Sequence, residues 1–566
     1  VTKPESPGRG WIPRESFTAL GKRNPMGRAL LKKSAPLFRR GLFVLLCMAF
    51  TGGSLATGAS SSVVVWDPGV ELSSSGSPQQ GGWKASGRSQ PLAFAVSNPQ
   101  GGIFGEEPLP LSFDLRTLGA VSAVKNQGKF DTCWTFASLG ALESFFLLQH
   151  RMNVNFSELH LAYFTYANAG PSEPGFTKYF PDRNVLDQMG NDQKATAVLT
   201  RWRGPVAESD APYPAPPLYV IHAPSGGEPP LARVQQAWSV PWRASEPELA
   251  PQLKELIRLC GGSTAHLYMP MEGYEGWFNE ETSAYCYTGE QISNHAVLLV
   301  GWDDAYKAEN FRTPPEGDGA WIAKNSWGTA FGEGGIFYVS YYDTSLWGGV
   351  AYQGEPITDH KGIYQYDPLG VLSRMGFEGS SRAEFANVFT AEEDETILAV
   401  GFYTPVGGSP YVIRGSRNLS GDPGSGTDLG VLAQGVLPWG GYSTVSLEKT
   451  FRVAKGEKFS LQVALETPGF PYPIPVEEPR EGYAEGATAN PGESYVRPAS
   501  GDLWEDLVTT YKENGNVCLK VFSERDGAPT PLPGASSGGG CSLGGGTGLV
   551  ILAGAFPLLF SGIRRK

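Results

Sequence analysis

The stretch FDLRTLGAVSAVKNQGKFDTCWTFASLGALESFF, residues 113–146, decides the fold. After Cys133 the apolar residues Trp134, Ala137, Ala141, Phe145 and Leu148 recur at the spacing of one helix face, so Cys133 is expected to open a buried helix. Glycine and polar residues stand directly before it, as they do at helix starts. A thiol in that position sits at the positive end of the helix dipole, which lowers its pKa and favours the thiolate, the attacking form of cysteine. A lone cysteine is more often a buried, inert side chain; the sequence around Cys133 favours a nucleophile instead.

Two further blocks lie downstream. NHAVLLVGWDD (294–304) sets His295 at the head of a strand-like run with Val297, Leu298 and Val300. AWIAKNSWGTAFGEGGIFYVSYY (320–342) places Asn325 and Trp327 before a glycine-rich turn and a second strand. Together with VKNQG (124–128) and CW (133–134), in the order Cys…His…Asn, these blocks resemble the papain and cathepsin family over about residues 107–355.

The resemblance implies a role for each residue. Cys133 is the nucleophile and His295 the base that accepts the thiol proton and later protonates the leaving amine. Asn325 fixes the imidazole's tautomer and plane. Gln127 aims its side-chain amide at the developing oxyanion beside the Cys133 backbone N–H, a donor whose loss typically costs roughly 10²–10³ in turnover. On the substrate side, Gly190, in MGNDQKATAVLTRW (189–202), is the candidate for hydrogen bonding to substrate backbone. Trp327 is expected to shield the Asn325 contact from water, with an ordinary core tryptophan as the other reading. Two departures stand out. The family's usual disulfide cysteine three residues before the nucleophile is replaced by Phe130, so packing must hold the active-site loop. In addition, 162 residues separate Cys133 from His295, so insertions are expected.

The chain has 566 residues, too many for one compact domain. A net charge of −12 argues against a nucleic-acid partner. Residues 1–40 carry ten Lys/Arg against two acidic residues and precede GLFVLLCMAF (41–50) and a small-residue exit with Ala56 and Ala59. That is the layout of a secretory signal peptide rather than of a membrane span, which needs about 20 apolar residues. Residues 1–59 are therefore read as leader and signal peptide, and 60–106 as a pro-segment or linker. The six cysteines form no C-x-x-C, so no zinc or dithiol site is expected; Cys260, Cys286 and Cys518 read as buried small hydrophobes, with a Cys260–Cys286 bridge left open.

Residues 362–524 read as β throughout. FSLQVAL (459–465) and VCLKVF (517–522) alternate with the period of half-buried strands. YQYDPLG (364–370), ANVFTAEEDE (386–395) and GFPYPIPVE (469–477) resemble a bacterial lectin-like domain, which implies either glycan binding or a sandwich that supports the protease. Residues 525–547 read as a Gly/Pro/Ser-rich tether, and 548–566 as an apolar helix with a basic end. The last could be a membrane anchor or a tag cut by a sorting protease.

The expected architecture is α+β: a papain-like protease with a helical lobe and a β-barrel-like lobe, followed by an all-β sandwich. The expected function is hydrolysis of protein or peptide substrates through a thioester, with no metal or organic cofactor, by an exported, surface-attached enzyme. The rival is a non-catalytic surface adhesin that binds glycan through its sandwich and keeps the protease lobe as a relic.

Overall fold

The computed structural model describes residues 108–525, apart from 171, 358–360, 500 and 502, together with the backbone of Val63–Trp66. The segments read as leader, tether and C-terminal helix lie outside the described residues. The strand Val63–Trp66 falls inside the stretch read as pro-segment or linker; it pairs antiparallel with Ser373–Phe377, from Val63↔Phe377 to Trp66↔Arg374. Four residues are too short to leave a period in such a stretch.

The first half is α+β. Helix α1 (Cys133–Phe145) is buried on every side from Trp134 onward. Around it lie α2 (Glu158–Tyr166), capped by the Ser157 hydroxyl on the His160 N–H at 3.0 Å, and α3 (Asp192–Thr200), capped by Asn191. Helix α4 (Ala250–Cys260) ends at Gly261 and leads into the strand Ser263–Leu267. That strand belongs to an eight-stranded sheet whose centre is His295–Asp303, flanked by Ser263–Leu267 and Ala320–Lys324. The helical lobe and the sheet-built lobe share one hydrophobic core, with Trp134, Leu139 and Leu142 of α1 packed among Val297, Leu299 and Phe337 of the sheet.

The second half is a sandwich built on two six-stranded antiparallel sheets, one of which takes the strands Ala232–Ser239 and Val350–Pro356 from the first half. Phe459, Leu461, Val463 and Leu465 all point into its core, as their alternation predicts. The strand Leu519–Arg525 departs from the half-buried expectation. Val517, Leu519 and Val521 enter the sandwich core, but Cys518, Lys520 and Phe522 are buried too, because the first half covers that face. Phe522 stacks on Trp202 of the first half with ring centroids 4.5 Å apart.

The two halves are joined by backbone as well as side chains. Within the insertion between Cys133 and His295, the strand Ala232–Ser239 pairs with Val350–Pro356 on one side and with Gly440–Val453 of the sandwich on the other. One sandwich sheet therefore runs into the first half. Its outward residues Tyr403 and Tyr442, with Tyr483, Ala484 and Ala487 from a loop, belong to the core of the first half. Cys260, Cys286 and Cys518 are free, buried thiols, so no bridge links Cys260 to Cys286.

Candidate active site

Cys133 is the first residue of α1, as its sequence pattern predicts. Its sulfur is reached by three backbone N–H groups: its own, that of Trp134, and that of Ala296. Ala296 follows His295, the first residue of the central strand, so the helix start and the strand start meet at the sulfur. His295 is 5% exposed, and its Nε2 lies 2.8 Å from Asn325 Oδ1. The same oxygen accepts the Ser326 N–H at 2.8 Å, which fixes the carboxamide's orientation. With Oδ1 as acceptor, Nε2 carries the ring proton and Nδ1 is left as the basic nitrogen.

Asn325 is held from both sides. Its N–H donates to the Gly335 carbonyl at 2.9 Å, and the next residue's carbonyl accepts the Gln127 N–H at 2.8 Å. The side chain of Gln127 is buried and doubly held: Oε1 accepts from Ser326 Oγ at 2.7 Å and Nε2 donates to the Phe130 carbonyl at 2.7 Å. That uses one of the two amide hydrogens and leaves the second as a donor. Trp327 lies over the imidazole, ring centroids 4.8 Å apart, and rests in turn on Tyr274 and Phe331.

Gly190 sits against Trp134, the residue after Cys133. A Cβ at that position would fall 2.2 Å from the Trp134 indole, so only glycine admits this approach. Of the six residues singled out from sequence, His295, Asn325 and Trp327 are in direct contact, Gln127 joins them through Ser326, and Gly190 abuts Trp134 next to Cys133.

Burial opposes the lowering of the thiol pKa expected from the helix start. Burial pushes the Cys133 thiol up to about 11, against the lowering supplied by the three N–H groups; Asp131 adds a further upward push. Burial likewise drives the His295 imidazole down to about 4, with the Asn325 hydrogen bond acting in the opposite direction. Position at a helix start lowers a thiol pKa only where desolvation does not exceed it. Here it does, so each group taken singly favours its neutral form.

Other residues of the site left no readable signal. In place of the absent disulfide, Phe130 is gripped edge-on by Tyr213 and Tyr219, at centroid distances of 6.1 and 5.7 Å. Both tyrosines come from the insertion. Tyr213 also donates its hydroxyl proton to the Gln127 carbonyl at 3.0 Å and contacts Thr132 Oγ1 at 2.5 Å, tying both ends of the loop before Cys133. A composition rich in proline and tyrosine at 211–219 was the only hint. Behind the site, Lys125 bridges two buried carboxylates, Glu143 at 2.8 Å and Glu158 at 2.7 Å.

Comparison with known proteins agrees with this geometry. Residues 109–172 and 267–349 match the papain family cysteine protease, and residues 363–523 the lectin like domain. Viral cathepsins of Choristoneura fumiferana defective polyhedrosis virus and Antheraea pernyi nuclear polyhedrosis virus are 31% and 33% identical over 236 and 233 residues. Each alignment covers 41% of this chain and 59% of the relative, so the chain spans well under two thirds of their length. The crystal structure of the cysteine protease and lectin-like domains of Cwp84, a surface layer associated protein of Clostridium difficile, superposes with a TM-score of 0.61 at 25% identity, covering 74% of this chain and 90% of that one. A Cwp84 variant solved after propeptide cleavage gives the same TM-score at 26% identity, covering 73% and 99%. With the helix-borne thiol, the histidine–asparagine contact and the shared sheet in place, the chain carries a papain-family cysteine protease domain with a lectin-like domain behind it.

Proposed function

We propose that the protein is a cysteine endopeptidase in which Cys133 is the nucleophile, His295 the base, Asn325 the orienter and Gln127 an oxyanion donor. The observation that carries this reading is the 2.8 Å contact of His295 Nε2 with Asn325 Oδ1, at the head of the strand next to the helix that Cys133 opens. In this reading the sulfur attacks the peptide carbonyl carbon as its proton passes to Nδ1. The tetrahedral oxyanion is met by the Cys133 N–H and the second hydrogen of Gln127 Nε2. The C–N bond then breaks, the amine leaves with the proton from Nδ1, and water returns through the same base to hydrolyse the thioester. Gly190 offers backbone to the substrate, and Trp327 keeps water from the Asn325 contact.

A peptidyl epoxide tests this directly. Loss of peptide cleavage should run in step with covalent addition of one inhibitor to Cys133, read by peptide mass mapping. Inactivation with the label on another residue, or cleavage that persists once Cys133 is fully labelled, rules the assignment out.

The pH dependence follows from proton counting. Neutral thiol with neutral imidazole holds as many protons as thiolate with imidazolium, so titration does not distinguish them and the pair has two macroscopic pKa values. Activity should rise with pH through the lower value, near 4, where the doubly protonated pair loses its first proton. It should stay flat through neutrality and fall at strongly alkaline pH. An activity that appears only as pH approaches ~8.5, as for an isolated thiol, would contradict the pairing.

The Cwp84 likeness and the 41–50 segment support export and association with the cell surface. In this reading residues 1–59 are removed and 548–566 attach the chain or direct its sorting. Mass spectrometry of the mature protein, which fixes both termini, is the check; retention of residues 41–50 would refute export by this route.

A further inference from the structure

We propose that Tyr483, carried by a loop of the lectin-like domain, is a positioning residue for the substrate-binding edge of the protease at Gly190. The inference rests on the protease reading above and extends it to the second domain. Tyr483 is 4% exposed and lies inside the protease core. Its hydroxyl accepts from Asn191 Nδ2 at 3.1 Å and donates to Gln193 Oε1 at 2.9 Å. Asn191 is the residue after Gly190 and the cap of α3, its Oδ1 accepting the Lys194 N–H at 2.9 Å. One phenol from the second domain therefore holds the chain on the C-terminal side of Gly190.

The N-terminal side of Gly190 is tied to the same group. The Tyr166 hydroxyl donates to the carbonyl of Met189, a residue with a φ of 57° that turns the chain into Gly190. Lys194 Nζ donates to Tyr166 Oη at 3.3 Å and sits among three rings, 4.8 Å from the centroid of Tyr166, 5.3 Å from Phe176 and 4.5 Å from Tyr483. The ammonium is 5% exposed and makes no ion pair among the described residues. Burial pushes it down to about 7, so the faces of the rings are its main electrostatic support. Tyr483 thus forms one wall of the cage that keeps Lys194, and through it Tyr166 and Met189, in place.

The loop carrying Tyr483 is itself fixed to the protease. The Thr177 N–H donates to the Tyr483 carbonyl at 2.8 Å, and the Glu485 N–H to Thr177 Oγ1 at 3.1 Å. The consequence at the site is direct, because Gly190 touches the indole of Trp134, next to Cys133. A shift of the 189–191 segment moves the substrate-side edge without altering the sulfur, the imidazole or Asn325.

Tyr483→Phe in the full chain removes the hydroxyl and keeps the ring wall. Loss of one positioning hydrogen-bond pair should raise KM for peptides roughly three- to ten-fold with kcat within about two-fold. The rate of Cys133 inactivation by a peptidyl epoxide should fall by the same factor. Alkylation of Cys133 by iodoacetamide, which needs no substrate-backbone contact, should be unchanged. Tyr483→Ala, which also opens the Lys194 cage, should deepen the peptide-specific loss.

Unchanged KM and epoxide rate in Tyr483→Phe overturn the inference. So does an equal fall in both labelling rates with a lowered melting temperature, which marks a merely structural residue. Wild-type protein that neither cleaves peptides nor takes the epoxide would overturn the protease reading itself, a result visible before any variant is made.

Discussion

Replacing Cys133 with alanine is expected to cut peptide hydrolysis by at least about 10⁴-fold, because no other group in the site can form the acyl intermediate. What survives the substitution is informative. In the proposed mechanism the Cys133 N–H and Gln127 would still serve the oxyanion, and His295 remains bound to Asn325, so binding and polarisation should persist without a nucleophile. Initial rates on a peptide library, with inhibitor labelling followed by mass, measure the loss. Stability should hardly change: alanine is a better helix former than cysteine, and the substitution removes a single sulfur atom. A melting temperature within about 2 °C of wild type then excludes unfolding as the cause of inactivity. Cleavage at wild-type rates by Cys133→Ala would end the assignment to this site, and the adhesin reading would gain by default.

How far the site could be read before the structure depended on whether its information was local. The helix at Cys133 was legible because Trp134, Ala137, Ala141 and Phe145 repeat within four turns. The meeting of His295 with Asn325 was legible only through the resemblance of three blocks; no periodicity brings the head of one strand to the end of another. The replacement for the lost disulfide was not legible at all. Phe130, Tyr213 and Tyr219 meet across more than eighty residues, and nothing local marks an aromatic residue as a clamp. The balance at the thiol was half legible for a related reason: the helix start is visible in sequence, but the burial that pushes the thiol up is not.

The same logic explains the junction of the two halves. Ala232–Ser239 buries Ala232, Val234 and Ala237, small residues off a strict two-residue period, so its place in a shared sheet left no clear signal. VCLKVF showed a clean alternation and was read as half-buried. The structure buries its polar face as well, with Lys520 at its centre. A lysine in a strand suggests solvent unless the far chain supplies a counter-charge, and that partner, Asp367, lies 153 residues earlier.

Lys520 is where the fold should be most vulnerable to a single change. Its ammonium lies 2.9 Å from Asp367 Oδ2, 2.7 Å from Gln365 Oε1 and 2.9 Å from the Asp367 carbonyl, and both charged side chains are at most 1% exposed. Burial pushes the Asp367 carboxyl up and Lys520 draws it back down; Glu477 nearby is also pushed well above its usual range by burial, with Asp367 adding to the push. Lys520→Met keeps the aliphatic bulk and leaves Asp367 buried without its cation. A loss of roughly 3–5 kcal/mol is expected, because an orphaned buried charge is more costly than the absence of the whole pair. The sign of the pH effect follows. In the variant the folded-state pKa of Asp367 rises above its already raised wild-type value, so the added penalty grows as pH rises from the wild-type folded pKa towards the variant's, and acidification relieves it. Thermal unfolding should therefore show a larger drop at pH 8 than at pH 5. Lys520→Met combined with Asp367→Asn should recover much of the loss, giving a coupling that two independent sites would not show. Because this pair lies on the sandwich face covered by the protease, both halves should melt earlier in one transition. A Lys520→Met protein within about 1 °C of wild type at both pH values, or one whose protease half melts unchanged, would show that the two halves do not stand or fall together.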